Sequence, residues 1–120
     1  MKVILQNSHR TIPVGNSTIL SQGRSNLVRV NNDFSNRTFG TIIHGNGNNY
    51  SLIPRFAGSI YVNDKYVNGR VFLQHGDQIR FTCNEKTENY IFLIKDYDYS
   101  IQPETIPPAT LINSPKIIAI

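Results

Sequence analysis

Cysteine, helix-forming residues and long apolar runs are all scarce in this sequence, and each scarcity removes a class of architecture. The single cysteine, Cys83, rules out an internal disulfide. Three alanines and three glutamates in 120 residues leave little from which to build a helix bundle. No charged-then-apolar leader and no run of roughly eighteen apolar residues is present, so the chain has no transmembrane helix candidate, and a soluble, cytoplasmic protein is expected. Charged residues make up only 17% against 39% hydrophobic. The remaining polarity comes from Asn, Ser, Thr and Gln, which favours a loop-rich β protein. A mass of 13.6 kDa fits one domain that can bury a core without metal or disulfide.

The charge is positive and uneven. The formal net charge is +4, with an isoelectric point near 9.4. Residues 1–76 carry eight Lys and Arg against two acids, Asp33 and Asp64, whereas residues 77–120 carry four bases against six acids. A basic first two-thirds is compatible with phosphopeptides, nucleic acid or acidic lipid as partners, and equally with a plain solubility role.

What is abundant is turn chemistry. Asn63-Asp64, Asn68-Gly69 and Gly76-Asp77 crowd into "IYVNDKYVNGRVFLQHGDQIRF", and each pair can supply the positive φ that a tight turn needs. The pieces between them are β-branched and aromatic, which predicts consecutive short strands at Tyr61-Val62, Lys65 to Val67, Arg70 to Leu73 and Gln78 to Cys83. Earlier strands are expected at Val3 to Leu5, Thr11 to Val14, Ser17 to Leu20 and Leu27 to Val30. Phe39 to His44 and Asn49 to Ile53 flank the turn Gly45-Asn46-Gly47-Asn48 as a hairpin. A further pair, Phe81 to Cys83 and Tyr90 to Ile94, spans a polar loop from Asn84 to Asn89. The run Tyr-Ile-Phe-Leu-Ile lacks alternation, which predicts a strand buried on both faces. An all-β sandwich of about ten to eleven short strands over residues 1–98 follows. Pro103, Pro107, Pro108 and Pro115 make 99–120 a C-terminal tail or linker.

Val-Asn followed by a short strand and then Leu73-x-x-Gly76-Asp77-x-Ile79 resembles the forkhead-associated (FHA) domain family. The family pattern runs Gly-Arg, Ser-x-x-His, Asn-Gly, Val-Asn-Gly, Leu-x-x-Gly-Asp-x-Ile. Gly23-Arg24 stands at the first element, Ser35-Asn36-Arg37-Thr38 at the second and Ala57-Gly58 at the third. Tyr61-Val62-Asn63 and Tyr66-Val67-Asn68-Gly69 compete for the fourth. The resemblance implies a β-sandwich whose end loops hold a protein partner through a phosphothreonine. Arg24 would supply a forked guanidinium and Ser35 a hydroxyl, with Asn36 and Arg37 as further loop donors. Thr38 replaces the usual His and should cost loop rigidity. Ala57 replaces the Asn that grips the peptide backbone, and Asn63 would substitute for it only in a shifted loop register. Arg24 can equally be a solvated loop residue, and Ser35 a turn cap.

These substitutions favour a scaffold with weak or no phosphothreonine binding over a genuine reader. FHA-like domains of that kind stand at the N-terminus of the membrane-bound ATPase of bacterial type VII secretion systems, and a β domain followed by a proline-bearing linker is similar to that arrangement. The parent protein would then be membrane-associated. The rival from another class is a basic β-barrel binding single-stranded nucleic acid, with Tyr50, Tyr61 and Tyr66 for stacking and Arg55, Lys65 and Arg70 for phosphate. Enzyme readings lack support. His9, His44 and His75 lie in separate segments with no paired cysteines or carboxylates at ligand spacing, which argues against a metal, and no cofactor motif is present. Cys83 continues the Ile79, Phe81 alternation and reads as a small buried apolar residue.

Overall fold

Short β-branched segments punctuated by Gly and Asn fold into eleven strands, described in a computed structural model over residues 2–55 and 57–95. They are β1 Val3–Gln6, β2 Thr11–Pro13, β3 Ser17–Gln22, β4 Val28–Asn31, β5 Thr38–His44, β6 Tyr50–Pro54, β7 Ser59–Val62, β8 Lys65–Tyr66, β9 Val71–Leu73, β10 Gln78–Cys83 and β11 Lys86–Ile94. No helix occurs among the described residues. The boundary at 98 and the expected tail 99–120 lie outside them.

The strands form two antiparallel sheets, one ordered β2-β1-β11-β10-β7-β8 and the other β4-β3-β5-β6-β9. Their inner faces meet in one core that includes Leu5, Leu20, Phe39, Ile42, Phe81 and Phe92, each at most 1% exposed. Burying a side chain of this size contributes roughly 1.5–3 kcal/mol. Phe81 holds the centre, edge-on to Phe39 at 5.4 Å and to Tyr90 at 5.9 Å between ring centroids. Among the described residues the strands form two sheets and not the barrel of the nucleic-acid reading. Tyr50, its first stacking residue, is 5% exposed and packed on His44 and Phe92.

Three local expectations change. The segment 84–89 is mostly strand: Asn84 and Glu85, with φ of 51° and 69°, make a two-residue turn, and pairing begins at Cys83↔Lys86. Polarity suggested a loop there, but β11 simply runs past its partner's core section into solvent. Strand β11 is also one-sided, not buried on both faces. Tyr90, Phe92 and Ile94 are buried while Ile91 between them is 40% exposed, because the outer face of this sheet is not covered at that point. Finally, Asn63 and Asp64 take positive φ and Gly76 sits at 93°, but Asn68 and Gly69 do not. The segment after β8 crosses from one sheet to the other and needs no tight reversal.

Candidate functional site

Three loops of one end of the sandwich are tied together by Thr38, the first residue of β5. A register shift between Leu20 and Ser21 skips Phe39, so Gly40 faces Leu20 while Thr38 faces Ser21. The bulge brings two hydroxyls together: Ser21 Oγ and Thr38 Oγ1 lie 3.3 Å apart, both buried. Thr38 Oγ1 also accepts the Ser35 amide at 3.0 Å, and the Thr38 amide donates to the Ser35 carbonyl. Its carbonyl accepts the Ala57 amide at 2.9 Å. Next to it, the Gln22 amide donates to the Arg37 carbonyl. The β3–β4, β4–β5 and β6–β7 loops thus share one anchor. Thr38, where the family has His, meets the Ser21 hydroxyl on the β3 side.

Arg24, Ser35, Asn36 and Arg37 all stand exposed on these loops. The Ser35 Oγ accepts the Arg37 amide at 3.1 Å, the turn-capping role open to it from sequence. Arg24 takes part in neither of the two salt bridges formed among the described residues, and nor does Arg37. Arg55, from the β6–β7 loop, lies 4.7 Å over the ring of Phe34, which is 53% exposed. Ala57 offers only its backbone. Its neighbour Gly58 is fixed by packing: φ is 57°, and a Cβ there would fall 2.3 Å from the Thr82 carbonyl oxygen and 2.5 Å from the Phe39 ring.

Below the Arg24 loop lies a network that sequence patterns did not reveal. Glu88 accepts the Leu27 amide at 2.7 Å and the Val28 amide at 3.3 Å, and receives the Tyr90 hydroxyl at 2.7 Å. Arg10 lies 4.0 Å from the same carboxylate and donates to the Val28 carbonyl and the Tyr90 hydroxyl oxygen. Burial, then the hydrogen bond and charge of Glu88, push the Tyr90 hydroxyl up to about 12. A cleft of about 430 Å³ opens between loop 23–27 and residues 86–88. Cys83, half-buried against the core, receives the Gln22 side-chain amide at 2.7 Å.

Asn63 belongs to the other end. Strand β7 pairs with β10 from Ser59↔Thr82 to Val62↔Ile79, so Asn63, beyond the far end of β7, is roughly 13 Å or more along the strand from the β6–β7 loop. There its Nδ2 donates to Asp77 Oδ1 at 3.0 Å and its Oδ1 accepts the Gln78 amide at 3.0 Å. Asp77 Oδ2 accepts the Gln74 amide at 2.8 Å. Both side chains are committed to the turn before β10, so Asn63 cannot replace the missing grip at Ala57. Of the two Val-Asn candidates, Tyr61-Val62-Asn63 bonds directly to the turn before β10.

No family model matches this sequence, and no curated protein does. Among solved structures, Mycobacterium tuberculosis EmbR in complex with a low-affinity phosphopeptide superposes with a TM-score of 0.56 at 24% identity, covering 78% of this chain and 24% of that one. The fold is FHA-like. The chain thus spans about a quarter of that protein, and the likeness concerns architecture. Within the FHA-like frame, Gly23-Arg24 leaves β3, Ser35 precedes β5 and Ala57-Gly58 precedes β7, so the motif positions reach the same end of the sandwich. Residue identity alone could not find Ser21 or Glu88, because each acts through a partner remote in sequence. The remaining histidines have local surroundings: His9 is exposed, His44 stacks on Tyr50 at 4.3 Å, and His75 Nδ1 accepts the Ile94 amide at 3.0 Å.

Proposed function

We propose that this chain is a non-enzymatic protein-interaction module of FHA type, acting as a scaffold with weak or no phosphothreonine binding. The observation that carries this reading is the asymmetry at the loop end. Exposed Arg24, Ser35 and Arg37 sit on loops braced by Thr38, yet Ala57 has no side-chain donor or acceptor. A phosphopeptide in complex with EmbR supports a protein partner for the fold. Discrimination of a phosphothreonine needs the peptide backbone held while the phosphate meets the guanidinium. Losing one charged-network hydrogen bond costs roughly 1.5–3 kcal/mol, about ten-fold to a hundred-fold or more in affinity. In this reading residues 99–120 are a linker, and the module works on the cytoplasmic side of a membrane-associated parent chain, as the resemblance to type VII secretion ATPases implies.

Calorimetry of the full 120-residue chain with a phosphothreonine peptide library tests the proposal. No micromolar binding is expected. Micromolar affinity abolished by Arg24→Ala would overturn it and restore a genuine phosphothreonine reader.

A further inference from the structure

We infer that the outer face of the β4-β3-β5-β6-β9 sheet is a membrane-docking surface, laid against an anionic bilayer through Phe34, Phe72 and the arginines beside them. The surface uses neither Ser35 nor the Arg24 loop, and it is independent of any peptide partner. Alternation along each strand turns Leu20, Ile42, Leu52 and Leu73 into the core, so Ile19, Thr41, Ile43, Ile53 and Phe72 stand on the outer face. Register groups them. Thr41 lies opposite Ile19 on one side and Ile53 on the other, and Ser51 lies between Ile43 and Phe72. The three isoleucines are half-buried and Phe72 is 69% exposed.

Each end of this apolar strip carries an aromatic ring with a guanidinium over it. Arg70 lies 5.4 Å from the Phe72 centroid at one end, and Arg55 covers Phe34 at the other. Ser51, the partner of Phe72, is four residues from Arg55, so the two pairs are roughly 13 Å apart along β6 with Ile53 between them. Charge then selects the partner. Residues 17–55 and 70–73, which form this sheet and its loops, carry five arginines against one acid, Asp33. The other acids of the described residues, Asp64, Asp77, Glu85 and Glu88, lie on or next to strands of the opposite sheet. A second copy laid face to face would set arginine against arginine. Groups that could fix the register of a peptide are also lacking: Thr41 and Ser51 are buried, and Asn31, opposite Ile19, bonds within its own loop. Apolar area flanked by cations, with no directional demand, suits the boundary between acyl chains and phosphate headgroups.

The test is co-flotation of the full chain with vesicles of phosphatidylglycerol and phosphatidylcholine in equal parts, with pure phosphatidylcholine as the second arm. Binding is expected to the anionic vesicles alone, and to fall as salt rises. Phe72→Ala should weaken it about ten-fold and Arg55→Gln about five-fold. Tyr66→Ala, which removes an exposed aromatic of the opposite sheet, should leave it unchanged. All three side chains are exposed, so melting temperatures should stay at the wild-type value. No flotation with either vesicle would overturn the inference and leave the strip to a protein partner. Flotation indifferent to Phe72→Ala would reduce it to charge adhesion, and an equal loss from Tyr66→Ala would put the membrane elsewhere on the surface; either result overturns the assignment. A dimer of the chain alone that Phe72→Ala dissolves in analytical ultracentrifugation would overturn it in favour of a second copy.

Discussion

The two ends of the sandwich use polar side chains in opposite ways. At the turn end, Asn63 and Asp77 satisfy each other and the amides of Gln74 and Gln78, and the Gly76 amide and Asp77 carbonyl lock onto Phe92. Neither of these two side chains is left over for a partner. At the loop end, buried Ser21 and Thr38 and half-buried Glu88 do the bracing, while Arg24, Arg37 and Lys86 face water. A conspicuous motif can therefore be wholly architectural, while the chemistry that meets a partner rests on residues with little pattern of their own.

The comparison breaks most sharply at two glycines with positive φ. Gly58→Val adds backbone strain to a collision with Thr82 and Phe39, and should cost roughly 3 kcal/mol or more. Gly76→Val meets no atom within 4 Å, so strain of about 1–3 kcal/mol is the whole expected effect. Urea denaturation of both variants checks the order; equal losses would show that the loop end is not the tighter packed. Thr38→Val comes next. It strands the Ser35 amide and Ser21 hydroxyl at an expected cost of about 1–3 kcal/mol, with faster hydrogen exchange at Ser35 and Ala57 than at Gln74 and Gln78. Uniform exchange across both ends would refute the role of Thr38 as anchor. Asn63→Ala should remove about 1 kcal/mol and speed exchange only at the turn end, with peptide binding at the loop end unaltered.

A pH scan sharpens the turn end alone. Burial lowers the His75 pKa from 6.5, and its Nδ1 accepts the Ile94 amide. The fold prefers the neutral ring, so this stability is fully present above pH 6.5 and is lost as pH falls through the folded pKa. Asp77 has the opposite sense: burial raises its carboxyl despite hydrogen bonds from Gln74 and Asn63, so its contribution is present in acid and lost as pH rises through its folded pKa. Melting temperature should therefore drop between neutral and mildly acidic pH, and His75→Gln should flatten that drop; an unchanged slope would remove His75 from the account. The smallest effect is expected from Arg24→Ala, within about 0.5 kcal/mol in stability because the side chain is exposed. A larger loss would mean that the arginine serves the fold.

Much of the architecture was legible because it is written in adjacent residues. Strand β10 has the expected bounds, Gly45 to Asn49 closes a hairpin, and the turn at Gly76-Asp77 closes through reciprocal hydrogen bonds between Gln74 and Asp77. The Asn84-Glu85 turn was missed because Glu carries no signal for positive φ; the register of β10 against β11 imposes it. The one-sidedness of β11 was hidden because Ile91 is as apolar as its buried neighbours.

Turn chemistry and strand composition determined an all-β chain, since positive φ and β propensity are properties of one or two residues, and the resemblance carried by Leu73-x-x-Gly76-Asp77-x-Ile79 pointed to the FHA-like frame. Only the tertiary structure decided that Asn63 serves a turn, that Thr38 with Ser21 braces three loops, and that Glu88 spends its charge on the Arg24 loop. Each of those outcomes depends on which strands lie side by side, and a bulge of one residue at Phe39 is enough to bring two hydroxyls seventeen positions apart into contact.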